Sequence, residues 1–340
     1  MPKVTIRHVA DAAGVGIGTV SRVLNNNPNV SDKTRQLVLN VIDELEFVPN
    51  AAARQLPRKT PYQSIGVITP PFFQYYSFAE RLRGVQTALH PYDEQFDLSL
   101  YNTRTIHTYD SRLLSIIETS VIAGLLVIDF DLTVRQKEAL ITQGIPFVGL
   151  NHVMNPGDWV CFGTDNEKGG YKATSYLIQL GHRHIAYLGD NLSISDGFTT
   201  SKERYTGYLQ ALQDADIPHN DDYYRVGELT FSAAKASAIE LLELPQRPTA
   251  IFAMSDVQAL GCLDAARELG LRIPDDLSII GYDDLEMSEH IGLTTVRQHL
   301  ELGGEIAMNY LLQLIHRNQP DEAPRLPELQ IIERRTTAHL

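Results

Sequence analysis

The chain has 340 residues, 43% hydrophobic, 21% charged and 8% aromatic, a composition that excludes disorder and suits about two domains plus a small module. No run approaches about 18 uninterrupted apolar residues, which excludes a membrane-spanning helix, and the opening MPKVTIRHVA lacks the apolar core of a secretory signal. The net charge of −13 argues against nucleic acid when taken whole, but residues 1–60 carry eight Lys/Arg against five Asp/Glu and the rest 21 against 37: a basic head on an acidic body.

Residues 5–45 read as three short helices. Thr5 caps the first, which puts Ile6, Val9, Ala10 and Ala13 on one face and ends at Gly14. The second runs from about Ile17 to Leu24, and the loop Asn25-Asn26-Asn27-Pro28-Asn29 follows. Ser31 caps the third, whose apolar stripe is Leu37, Val38, Val41, Ile42 and Leu45. Residues 50–56 (NAAARQL) have room for one or two helical turns before Pro57, and 57–63 read as a linker.

From Ser64 the pattern changes. Short apolar runs, IGVIT (65–69), LSLYN (98–102), GLLVI (124–128), FVGL (147–150), HIAYLG (184–189), TAIFAM (249–254) and SIIGYD (278–283), alternate with helical stretches. These include stretches at 77–90, 167–180, 203–215, 232–244, 256–269 and 301–317. This alternation predicts a doubly wound parallel α/β architecture, and so many units predict two lobes.

GVGIG (14–18) fails as a nucleotide loop, because a third glycine would fall on Thr19 and the run follows a helix, not a strand. A helix-turn-helix fits instead, with the turn at Ala13-Gly14-Val15 and Ala10, Val15, Val20 and Leu24 facing inward. Thr19, Ser21 and Arg22 are then exposed. Gly16 and Gly18 permit close approach to DNA, each at about 1 kcal/mol of helix stability. Arg22 has the planar fork for guanine, while Thr19, Ser21, Ser31 and Thr34 are short donors suited to phosphates. His182-Arg183-His184 lacks a further ligand at metal spacing and reads as a turn into a strand. Cys161 and Cys262, both in apolar surroundings, read as buried free thiols of a reducing cytoplasm and not as a disulfide.

The head TIRHVADAAGVGIGTVSRVLNNNPNVSDKTRQLVLNVIDELEFVPNAAARQL resembles that of the lactose-repressor family of bacterial transcription regulators. DNEKGG (165–170), LGHRHIAYLGD (180–190), RYTGYLQAL (204–212), AIFAMSDVQALG (250–261), GYDDLE (281–286) and LTTVRQ (293–298) extend the resemblance in order over essentially the whole chain.

The resemblance implies a small all-α helix-turn-helix head on an α/β body like periplasmic sugar-binding proteins, two doubly wound parallel-sheet lobes. The expected divisions are 1–48 for the DNA-binding domain and 49–63 for hinge helix and linker. The N-terminal lobe is expected at 64–160 plus 293–322, and the C-terminal lobe at 161–292 plus 323–340. Ile17, Gly18 and Arg22 are expected to read the major groove, with Thr5, Ser21, Asn25, Asn29, Ser31 and Thr34 near the backbone or base edges. In the hinge helix, Leu56 is expected to wedge into the minor groove beside Ala53, with Asn50 on the backbone; an apolar wedge kinks a duplex.

Some positions depart from the family pattern. Gly16 stands where a capping serine is usual, and His8 where an aspartate is usual. Pro57 directly after Leu56 should truncate the hinge helix.

The effector cleft is expected at the carboxyl ends of the strands. Arg204, Asp283 and Phe231 are the leading candidates, with Asp165, Ser255, Asp256, Gln298 and Phe73 beside them. Carboxylates and an arginine suit hydroxyl pairs, and an aromatic face suits a sugar ring; acids such as Asp165 and Asp256 could instead cap helices. The implied function is a repressor of carbohydrate genes, a cytoplasmic homodimer on a near-palindromic operator, controlled by a small sugar. The alternative is a purine or other metabolite acting as co-repressor. No cofactor, metal or membrane partner is expected. A transport protein and an enzyme are the competing classes, the latter lacking any H-E-x-x-H, G-x-S-x-G or P-loop motif.

Overall fold

The computed structural model describes residues 5–24, 30–45, 63–69, 76–102, 113–117, 122–129, 132–150, 159–190, 200–227, 230–318 and 322–340. The chain divides into two compact units, Met1–Tyr62 and Gln63–Leu340.

The described part of the first unit holds helices α1 (Ile6–Ala12), α2 (Ile17–Leu24) and α3 (Asp32–Glu44). Val9, Ala10, Ala13, Val20, Val23, Val30, Val38 and Val41 form its core, with Ile6, Val15, Ile42 and Leu45 packed at the edge. Leu37 departs from expectation. It is 48% exposed, because a stripe centred on Val38 and Val41 turns the preceding position about 100° away. The Leu24 side chain lies outside the described residues, and Val23 supplies the inward contact at that end of α2.

His8 closes the first turn of α1. Its Nδ1 accepts a hydrogen bond from the Thr5 backbone N–H at 3.1 Å, so an imidazole fills the capping-box place of an acid. Gly14 takes a left-handed φ of 63°, which lets the chain leave α1 and enter α2 within a few residues.

The body begins with β1 (Gln63–Thr69), α4 (Tyr76–Leu89), β2 (Phe96–Asn102), α5 (113–117), β3 (Ile122–Ile128), α6 (Val134–Gln143), β4 (Phe147–Leu150) and β5 (Cys161–Phe162). These strands form one parallel sheet in the order β2-β1-β3-β4-β5. Next come α7 (Asn166–Gln179), β6 (Ile185–Gly189), α8 (Thr200–Asp214), β7 (Tyr224–Val226), α9 (Phe231–Leu242), β8 (Ala250–Ala253), α10 (Asp256–Glu268), β9 (Ser278–Asp283), α11 (Glu286–Ile291) and β10 (Thr294–Arg297). After α12 (Leu300–Ile315) the chain ends through β11 (Gln330–Ile332). The second sheet has the order β11-β10-β9-β8-β6-β7, with only β11 antiparallel. Helices cover both faces, which is why IAGLLVI and SIIGYD are buried almost end to end.

Two strands fall on the other side of the expected lobe boundaries. Cys161–Phe162 pairs with β4, so the first sheet extends past residue 160. Thr294–Arg297 pairs in parallel with β9, so these residues belong to the second sheet and not to the first lobe. The return to the first lobe comes with α12, which packs on α4, β3 and β4. The crossings therefore lie after Phe162, after Arg297 and between α12 and β11. Cys262 is buried as expected, but Cys161, on an edge strand, is half-buried.

Helices meet backbone to backbone in both lobes, α12 on α4 in the first, and α8 on α7 and α10 on α9 in the second. A Cβ at Gly304 would overlap the Arg81 carbonyl, and one at Gly207 the Glu167 carbonyl. Glycine is required there so that α12 can lie on α4, and α8 on α7. Arg81 and Arg204 sit at these two seams.

Candidate functional site

In the head, α2 turns Ile17, Gly18 and Arg22 outward, with Thr19 and Ser21 half-buried beside them. Ile17 is 42% exposed, an unusual cost for an isoleucine in so small a core. A Cβ on Gly18 would meet only the Arg22 guanidinium, at 3.8 Å, so the glycine leaves an open face under that fork. Ser31 accepts from the Thr34 N–H at 3.3 Å, and the two hydroxyls lie 2.8 Å apart, capping α3 as a pair. Thr5 is exposed at the cap of α1. Asn25, Asn29, Asn50, Ala53 and Leu56 lie outside the described residues.

Gly18→Ala should raise the head's stability by up to about 1 kcal/mol, since the helix gains propensity and nothing blocks the methyl. If Gly18 meets DNA, the same change weakens operator binding. Chemical melts of the head and operator titrations, run together, separate the two effects.

In the body, Arg204, Asp283 and Gln298 converge. Arg204, at 3% exposure, emerges from the first turns of α8 and is held on three sides. Its Nε donates to Asn166 Oδ1 at 3.0 Å, its Nη1 to the Met254 carbonyl at 2.5 Å, and its guanidinium lies 3.6 Å over the Tyr282 ring. Asp283 Oδ1 is 3.9 Å from Arg204 Nη1 and accepts from Gln298 Nε2 at 2.5 Å. Gln298 Oε1 accepts from the Thr164 hydroxyl at 3.3 Å.

The backbone at Asp283 and Asp284 is strained. Their φ angles are 129° and 56°, a region that disfavours side chains. The strain is over-determined by contacts on both sides. Asp284 points away from Asp283, accepting from Arg297 at 2.6 Å and Arg334 at 2.7 Å. Asp256 holds the next residue, accepting from the Leu285 N–H at 2.8 Å, the Ser288 hydroxyl at 2.7 Å and the Thr295 hydroxyl at 2.5 Å.

Asp256 is therefore not placed as a ligand residue. It is wholly buried and its oxygens are committed to the turn that presents Asp283. Ser255 caps α10, accepting from the Gln258 N–H at 3.2 Å. Asp165 caps α7, accepting from the Lys168 N–H at 2.9 Å, and remains exposed. Phe231 opens α9 with 43% of its surface exposed. Phe73 lies outside the described residues.

Sequence reasoning missed Asn166, Tyr282, Thr164 and Arg81. The first three adjoin residues that were named or lie in quoted motifs. Arg81 had a readable signal: it interrupts the stripe Phe78, Val85, Ala88 that α4 buries, and a cation on an apolar stripe carries a desolvation cost that packing alone does not offset. It lines a cavity of about 10 Å³ with Thr164, Gln298 and His299, where the chain crosses between the lobes.

Burial pushes the Asp283 carboxyl up to about 7, against the pull of Arg204. An unfolded aspartate titrates near about 3.9. The folded carboxyl thus holds its proton more tightly, and this stability is complete below the unfolded value and lost as pH rises through about 7. Asp283→Asn should flatten the pH dependence of the body's melting between about pH 4 and 7. Superimposable wild-type and variant profiles would remove Asp283 from that role.

The geometry is that of a helix-turn-helix unit and a two-lobed α/β body with a polar interlobe site. The model of the lacI family of bacterial regulatory proteins matches residues 5–50, and that of the periplasmic binding protein-like domain matches 174–337. The HTH-type transcriptional repressor PurR of Vibrio atlanticus (strain LGP32) is 33% identical, over 99% of each chain. The chain belongs to the lacI family. It is a DNA-binding transcriptional repressor and not an enzyme. Among solved structures, a complex of the transcriptional regulator CelR with cellobiose has 29% identity and a TM-score of 0.68, covering 98% of this chain and 100% of that one. The lac repressor dimer bound to operator and the anti-inducer ONPF has 27% identity and a TM-score of 0.69, covering 99% of each chain.

Proposed function

We propose that this repressor acts as a dimer on a near-palindromic operator and releases or engages it when a small polyhydroxylated molecule binds beside Arg204, Asp283 and Gln298. The observation that carries the reading is the buried Arg204–Asp283–Gln298 cluster, where donors and a carboxylate are pre-oriented at the carboxyl end of β9. A guanidinium and a carboxylate side by side can pair with adjacent hydroxyls. Relatives solved with cellobiose and with operator DNA support the same division of labour. A regulator of this family works in the bacterial cytoplasm, on the nucleoid.

In the head, Ile17, Gly18 and Arg22 are the base-facing set. Thr5, Thr19, Ser21, Ser31 and Thr34, with Asn25 and Asn29, serve the backbone or base edges. Ile17 and Gly18 offer no hydrogen-bond donors, so contact there is confined to apolar groups such as the thymine methyl. Asn50, Ala53 and Leu56 serve the operator centre.

The test is operator affinity measured against salt and against a ligand panel of neutral sugars and purine bases. Affinity should fall steeply with salt and change with one ligand class. A purine response alone would replace the sugar by a purine effector. Leu56→Ala should weaken specific binding at least tenfold and spare non-specific binding; equal loss of both would contradict the wedge.

A further inference from the structure

We infer that Arg81 anchors an anionic group, a carboxylate or a phosphate, on the effector, so that the molecule spanning the lobes is a sugar acid or sugar phosphate. The inference rests on the interlobe effector site proposed above and names the chemistry of its ligand.

Arg81 is 3% exposed and comes from α4, in the lobe opposite Arg204 and Asp283. Among the described residues it makes no hydrogen bond and no ion pair; its contact is the Phe78 ring, 5.8 Å from the guanidinium carbon. It lines a small cavity beside two of the crossing segments with Thr164, Gln298 and His299, and Gln298 in turn holds Asp283. His299 Nε2 is buried there without a partner. Two acids lie within electrostatic reach, Asp129 first and Asp283 second, while Arg204 repels. Neither acid closes an ion pair with Arg81.

A guanidinium on so buried a residue, with no direct partner among the described residues, is costly to keep, and it gains when an anion arrives. The flat fork matches a carboxylate or phosphate with two parallel hydrogen bonds, whereas a single neutral hydroxyl answers only part of it. The cavity of about 10 Å³ has room for about one water, so an anionic group enters only as the surrounding side chains move apart. Arg204, Asp283 and Gln298 then face the hydroxylated part of the same molecule.

The test uses the full-length protein and matched probes: glucose, galactose and ribose, their sugar acids and their phosphate esters, inorganic phosphate and hypoxanthine, all at equal ionic strength. Binding is read by calorimetry and by melting temperature, on wild type, Arg81→Leu and Arg81→Lys. Leucine restores the apolar stripe of α4, and circular dichroism melts check that both variants fold. A sugar acid or sugar phosphate should bind wild type at least tenfold more tightly than its parent sugar. Arg81→Leu should remove that preference and Arg81→Lys retain part of it. The acid and ester arms, with inorganic phosphate, tell carboxylate from phosphate. A neutral sugar or hypoxanthine binding as tightly as any anion, or equal anion affinity in wild type and Arg81→Leu, would overturn the inference. If such a neutral ligand is lost in Arg204→Ala, the effector site stands and only its charge class falls. Binding by no probe overturns the anionic assignment, and an Arg204→Ala protein that still responds to its ligand overturns the site.

Discussion

Asp256→Ala should lower the stability of the body by at least about 3 kcal/mol. One carboxylate, wholly buried, satisfies the Leu285 N–H and the hydroxyls of Ser288 and Thr295. Each buried donor left without an acceptor costs about 1–3 kcal/mol. Burial pushes the Asp256 carboxyl up, while those three donors pull it back. The lost contacts all converge on the turn after β9, so Asp283 loses its imposed backbone angle as well. Denaturant melts measure the first effect, and ligand affinity the second. Asp256→Asn keeps one acceptor oxygen and should fall between wild type and alanine. An alanine variant within about 1 kcal/mol of wild type would show that the turn holds itself without this hub.

Arg204→Ala should abolish the ligand response of operator binding while leaving operator affinity intact. The side chain joins Asn166, the Met254 carbonyl, the Tyr282 ring and Asp283, so its loss removes the group around which the second lobe's half of the site is arranged. The stacked guanidinium is desolvated, and its cation–π contact alone is worth about 2 kcal/mol. The variant should therefore melt earlier as well. Operator titrations with and without ligand, at a temperature where the variant is folded, read the functional effect. An unchanged dose–response curve would take Arg204 out of the site.

Much of this architecture was legible because its periodicities are strong. The seven apolar runs all became strands, and the helical stretches between them all became helices, since both faces of each sheet are covered and the strands cannot afford polar residues. Boundaries between lobes were less legible. Nothing in LTTV or VCF says which sheet accepts a strand, because that choice rests on partners more than ten residues away. The candidate cluster was legible in part. Arg204, Asp283 and Gln298 were named from their place at strand ends and from family resemblance, and the fold brings the three together. Asp256 and Ser255 sit at equally good strand ends but serve the fold, since an acid or serine opening a helix looks alike whether it faces a ligand or caps a backbone. Arg81 was missed because helices were read for their apolar faces and not for the exception within one.

Thr164 and Gln298 stand on two of the three strands of chain that pass between the lobes, and the hydrogen bond between them acts as the pin of a door hinge. Because Gln298 also grips Asp283, the carboxyl at the end of β9 is fastened to the same pin.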